Sequence, residues 1–481
     1  MKRTPIIAPL LALLVAACGD SDSHSPPPLA ETTDVVTVGP ITGFGSVISN
    51  GVEFGTDSVT VLVNGEPGGM DDLHVGMIVS ILGTIDADFG AAEASEIRFT
   101  ADLEGPISGI NPAAGTLTVL GQTVLVDELT MFDAADFDGL EAGNVVRVSG
   151  QLRSQERIQA THVYRVAMEY QAGMRMQIKG EIENLDPATQ RFRIGDQDCD
   201  YSGAMLDPGG LELADGLYVE VTSTTPIGDG DMILDRIEAK DRDRDRDQLC
   251  SADCEFELEG FVTAFVSATE FDVDGQPVST ITTTEYVNGT VDSLALDAKV
   301  AVDGVLDANG TLVADRIVFR LPSAVEIAAD VEALDPNTET VTLLGITVMT
   351  TEHTLFRDHS GVAMPAFGFD DLATGDRLEI RAYVDGDSVV ATRIERGDAD
   401  DSVTLKAPVD AIDRPSLVLL GVTATSDAET VFQNAAYAVI DADAFFGLVT
   451  TGDLVKTEGA YDGTSILAEK MFLRECEEQC L

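Results

Sequence analysis

The chain has 481 residues, 44% of them hydrophobic, with 84 Asp and Glu against 29 Lys and Arg and a formal net charge of −55. At about 100 to 200 residues per domain this length predicts several cores, and the apolar content sets the chain apart from a disordered acidic tail. The charge would repel phosphate backbones over most of the surface, which argues against nucleic acid as a partner.

Lys2 and Arg3 precede an apolar run from Ile6 to Ala17. That run has the length of a signal-peptide core and is too short to span a bilayer. It ends Val15-Ala16-Ala17-Cys18, and small residues directly before a cysteine resemble the lipobox of bacterial lipoproteins. The resemblance implies cleavage before Cys18 and lipidation of its thiol and new amino group, which together anchor where one chain would not. Residues 1–17 are therefore expected to be a signal peptide, and 18–35 the lipidated cysteine with a polar, proline-rich tether holding His24. Gly19 after the anchor favours the outer membrane of a bacterial envelope over inner-membrane retention.

Past the tether the phrase GxxVxVxG returns six times, starting at Gly76, Gly143, Gly216, Asp297, Gly375 and Gly452. The copies lie 67 to 81 residues apart by subtraction of those positions, which defines a tandem array. Ser223 replaces the last glycine of the third copy, and Asp297 the first glycine of the fourth. Other phrases keep step: an opening strand such as Gly105-Pro106-Ile107, a threonine such as Thr130, Thr354 or Thr430, and a closing strand such as Ala160 to Val163. Alternating apolar residues bounded by Gly, Asp and Asn read as half-buried strands joined by tight turns. Five strands per unit, with a loop in place of a helix between the third and fourth, predict an all-β array of about six small OB-like barrels. A small sandwich or open roll is the alternative. The expected units are 36–101, 102–170, 171–240, 255–322, 323–400 and 401–481, with a charged, cysteine-containing linker at 241–254, each unit contacting its neighbours. Packed neighbours or acidic surface should blunt the exposed strand edges.

GPITGFGSVISNGVEF at 39–54, DLHVGMIVSILG at 72–83 and TLTVLGQTVLVDELTMFD at 116–133 resemble the repeat called domain of unknown function 5666, found in bacterial envelope lipoproteins. The resemblance is fullest over the first two units and weaker over the third, fourth and sixth. It implies location and architecture, and no functional residue follows from it.

Chemistry-bearing residues are sparse. Beside Cys18 there are Cys199 and two C-x3-C pairs, Cys250 with Cys254 and Cys476 with Cys480. In an oxidising compartment these pairs read as disulfides, within or between them. A four-thiolate metal site is the sharper alternative, and Cys199 is left as a free thiol or one end of an intermolecular bridge. Arg242, Arg244 and Arg246 form the one dense positive run, read as linker. Acidic turns at Asp229 to Asp231, Asp385 to Asp387 and Asp133, Asp136 and Asp138 are candidates for calcium, although turn geometry alone accounts for them. His74 and His162 sit in strand contexts, and His353 and His359 flank one loop. No catalytic motif, cofactor motif or metal site is assigned. The expectation is a lipid-anchored, non-enzymatic binding or scaffold protein with an envelope protein partner, and a calcium-binding envelope protein is the alternative.

Overall fold

A computed structural model describes residues 32–474 apart from 45, 87–91, 128, 154–156, 228–229, 241–254, 322, 352, 361–366, 387 and 436–437. Cys18, Cys250, Cys254, Cys476, Cys480, His24 and the arginine run at 242–246 lie outside the described residues.

The second unit shows how each barrel is made. Its opening strand Leu103–Asn111 pairs with Thr116–Val119, which turns back into Gln122–Leu125. That third strand lies parallel to the closing strand Ile158–Ala167, which pairs antiparallel with Val145–Leu152. Val145–Leu152 returns to the opening strand, so five strands close on themselves around Leu103, Leu117, Val119, Val124, Val146 and Val148. The circuit also closes in units one, four and six. These are barrels, not sandwiches or open rolls. In units three and five the opening strand is split, at Ile182 and at Val331.

The repeated glycines have two different physical causes. The first glycine of the phrase donates its N–H to a carbonyl on the opening strand, at Ile41, Ile107, Ile182, Val331 and Val409 for Gly76, Gly143, Gly216, Gly375 and Gly452. All five glycines have φ between 82° and 95°, the left-handed region that side chains resist. Asp297 fills the same place at φ 63°, donating to Val262, because aspartate tolerates that region better than most residues. The second glycine sits at a β-bulge where the fourth strand crosses the closing strand. A Cβ at Gly83, Gly150, Gly304 or Gly459 would lie 2.0 to 2.5 Å from a carbonyl oxygen of that strand. Register shifts fall at each of these glycines.

One expectation is corrected. The loop before the fourth strand holds a helix in the sixth unit, Ala442–Leu448, capped by Asp441 and burying Phe445 and Phe446 against Phe432. Single 3-10 turns stand at that place in units one, two, four and five. Pairing between units departs from sequence order at one seam, between units one and four. The first half of the opening strand is an open edge, and units join through it: one with four, two with three, and five with six. Unit one pairs in parallel with unit four in a register that sets Val36 beside Phe256 and Val38 beside Leu258, and all four enter one core. These seams cover edges that would otherwise template aggregation.

Candidate functional site

Where units one and two meet, the turn entering the fourth strand of unit one lies against the closing strand of unit two. A Cβ on Gly76 would stand 2.6 Å from the Thr161 carbonyl, and Ile78 N–H donates to Ser149 Oγ at 2.8 Å. This close approach brings His74, in that turn, beside His162 in the strand Ile158–Ala167, with ring centroids 5.6 Å apart and stacked. Asp133, at the end of the parallel strand Met131–Asp133, lies between them. Its Oδ2 is 2.8 Å from His162 Nε2 and 3.1 Å from His74 Nδ1. Arg357 of unit five donates to Asp133 Oδ1 and to the Phe132 carbonyl.

His162 is 1% exposed, Asp133 23% and His74 39%, so the cluster is closed on one side and open on the other. Burial acts to raise the Asp133 pKa, but hydrogen bonds from His162 and His74 and the charge of Arg357 outweigh it, holding the carboxyl well below the usual range. Burial lowers the pKa of His162, against the opposing pull of Asp133. Two imidazole nitrogens and one carboxylate oxygen within 4.8 Å of one another form a set able to hold a metal ion, and among the described residues no other such group converges.

The remaining candidates separate. His353 faces Arg320 at 3.3 Å and His359 faces Glu395 at 3.3 Å, so the two share no ligand. Glu395 lies 2.6 Å from Arg393; despite burial, His359 and Arg393 pull its pKa to about 2. Asp136 caps its own turn through Gly139 N–H, apart from Asp133. Other turn aspartates do the same: Asp307 accepts from Asn309 and Thr311, and Asp462 from Thr464 and Ser465. Asp229 and Asp387 lie outside the described residues. Cys199 is fully buried in the core of unit three, where burial pushes its thiol pKa up to about 12, so an intermolecular bridge would require unpacking. A cleft of about 810 Å³ lies among units one to four. Its Lys179 and Arg175 are held by Asp102 and Glu220, each at 3.1 Å.

Sequence reasoning left His74 and His162 unconnected. Strand register exposes the signal: at the position of His162 the other units carry Glu96, Arg236, Arg316, Arg393 and Lys470. Likewise His74 accepts at its carbonyl from Met77, a turn bond in which the other units place Glu141, Ala214, Ala295, Ala373 and Thr450.

Fold and site together define an all-β protein of repeated small closed barrels with a histidine-carboxylate cluster between two of them. Segments 104–164, 259–318, 330–395 and 406–471 match the family described as a domain of unknown function, DUF5666, and cover just over half of the chain. The chain belongs to this family. No curated protein matches it. The matched segments lie in units two, four, five and six, so the likeness expected of unit two is found, while that expected of unit one is not among the matches. These four share one device: Thr130, Thr284, Thr354 and Thr430 each donate a hydroxyl to the carbonyl of the closing-strand alanine, at 2.8, 2.6, 2.9 and 2.7 Å. By register, Val59 and Ala204 stand at that position in units one and three, where the bond cannot form.

Proposed function

We propose that this protein is a lipid-anchored, non-enzymatic scaffold of the bacterial envelope, whose OB-like barrels hold or bridge other envelope proteins. The observation that carries the reading is the joining of units through their opening strands, which turns separate barrels into continuous sheets and offers partners a long, acidic surface. The lipobox-like run ending at Cys18 supports attachment to the outer membrane through lipid. The calcium reading ranks behind it, because in its candidate turns Asp136 accepts from Gly139 N–H and Asp231 pairs with Arg191.

In-cell cross-linking, recovery through a C-terminal tag and mass spectrometry test the proposal. A reproducible envelope partner is expected, and recovery of the protein alone would overturn the scaffold reading. Cys18→Ala should move the chain from the membrane fraction to the soluble one. Calcium should raise the melting temperature no more than sodium at matched ionic strength.

A further inference from the structure

The Asp133–His162 contact is a variation on a repeat-wide theme. At the same two positions unit three carries Asp207 and Arg236, an ordinary ion pair across parallel strands. Unit two replaces the guanidinium with an imidazole, which can surrender its proton and offer a lone pair. A second imidazole then arrives from unit one at a turn position where the other units carry Glu, Ala or Thr. Two of only five histidines in the chain thus converge on one carboxylate oxygen.

We infer that His74 Nδ1, His162 Nε2 and Asp133 Oδ2 form a binding site for one divalent transition-metal ion of the zinc, cobalt or nickel class. The spacing suits it. Ligands about 2.1 Å from such an ion lie about 3.4 Å apart at the tetrahedral angle, and the two nitrogen–oxygen distances of 2.8 and 3.1 Å need open by only a few tenths of an ångström to admit it. Imidazole ligands select this class over calcium and magnesium, which take oxygen. Arg357 holds Asp133 by its other oxygen, which leaves Oδ2 as a single, oriented ligand, the role that outer hydrogen bonds play around metal-binding carboxylates. Three protein ligands leave a coordination position for water or an outside donor. The half-exposed face of His74 is where that position and the entry path would lie. Bound metal takes the place of the imidazole contacts with Asp133, each ring then carrying its proton on the nitrogen that faces away from the ion, and ties unit one to unit two.

The full chain, stripped with chelator and with accessible thiols alkylated so that cysteine cannot contribute, is titrated with Co2+ in millimolar Ca2+ and Mg2+. Those ions occupy the scattered carboxylates. The expected result is one Co2+ per chain with visible ligand-field absorption, bleached by one equivalent of Zn2+, and a higher melting temperature for the loaded chain. His74→Ala, at the half-exposed ligand, should weaken binding at least tenfold and abolish the metal-induced rise in melting temperature, while the metal-free melt falls only slightly with the loss of its contacts to Asp133 and His162. Asp133→Asn should weaken it as well, and His353→Ala should not. The inference is overturned if wild type shows no ligand-field band, or if His74→Ala binds Co2+ as wild type does. His162→Gln is the less decisive variant because its site is buried, so the outcome for His74→Ala decides.

Discussion

The seam between units five and six and the seam between units one and four use the same open half of the opening strand, yet they carry opposite electrostatics. In the first, Glu326 is paired in register with Lys406 and lies 2.5 Å from Arg381 and 2.9 Å from Lys456. Burial would raise its pKa, but Arg381, Lys456 and Lys406 outweigh that and lower it. In the second, Glu257 receives a hydrogen bond from Thr37 at 3.0 Å. Burial pushes its pKa up to about 7, with Asp303 and Glu255 adding to the shift against a hydrogen bond from Thr37 and the weaker pull of Arg316. One backbone device thus yields a seam held by charge and a seam strained by it. The sign of each is set by side chains flanking the strand, not by the pairing.

The largest test breaks the first seam. Glu326→Ala leaves Arg381, Lys406 and Lys456 around an emptied, buried place, and removing one partner of such a cluster costs about 3–5 kcal/mol. Hydrogen exchange in strands Val325–Asp330 and Val403–Asp413 should accelerate accordingly, while the strands of unit one keep their protection. Unchanged protection would mean that the cluster is dispensable.

Acidity should then separate the two seams. Glu257 binds its proton more tightly folded than unfolded, so the stability it contributes is present below pH 4.5 and lost as pH rises through about 7. A shift of this size corresponds to about 3 kcal/mol at about 1.4 kcal/mol per pH unit. Glu326 behaves oppositely: its pKa is lowered, so its contribution is present above its unfolded value of 4.5 and lost as pH falls. Exchange corrected for intrinsic rates, compared at pH 5 and pH 8, should show the one–four seam better protected at pH 5. The five–six seam should show no such gain. Parallel responses in both seams would sink this electrostatic contrast. Glu257→Gln, which keeps a polar partner for Thr37, should flatten the pH response of its seam and stabilise it by about 1–3 kcal/mol at pH 8.

How much of this could be read beforehand depends on whether a residue's constraint is local. The left-handed turn at Gly76, Gly143 and Gly216 admits few residues whatever surrounds it, so the phrase stood out in the sequence. The bulge glycines and the threonines bonded to Ala160, Ala391 and Ala468 answer instead to the closing strand, 30 to 38 residues away for the threonines, and they repeat because each contact stays within its own unit. Five strands per unit followed from the same punctuation, but their closure into a barrel over a sandwich or open roll did not, because strand count alone does not fix it. The seams did not follow, because Val35 to Val38 and Phe256 to Leu258 show the same half-apolar pattern as every other opening strand. The histidine-carboxylate cluster was hidden for a related reason. Asp133 and His162 occupy ordinary repeat positions, and only the packing of Gly76 against Thr161 brings His74 to them. Aligning the units position by position would have marked both imidazoles as departures, but not as neighbours.

The smallest expected effect probes a side-chain hydrogen bond that crosses the one–four seam at Glu257. Thr37 is fully buried, and its hydroxyl donates to Glu257 Oε2. A hydrogen bond to a charged acceptor contributes about 1.5–3 kcal/mol, and one between neutral groups about 0.5–1.5. Thr37→Val keeps the shape and removes the donor, so it should cost about 2 kcal/mol at pH 8, where Glu257 is ionised, and about 1 kcal/mol at pH 4.5, where it is neutral. The pH response of the seam should therefore steepen in Thr37→Val and flatten in Glu257→Gln, and the double variant should track Glu257→Gln. If Thr37→Val instead shifted stability equally at both pH values, the hydroxyl would be acting through packing alone, and the raised affinity of Glu257 for its proton would have to arise from burial and its acidic neighbours without relief from Thr37.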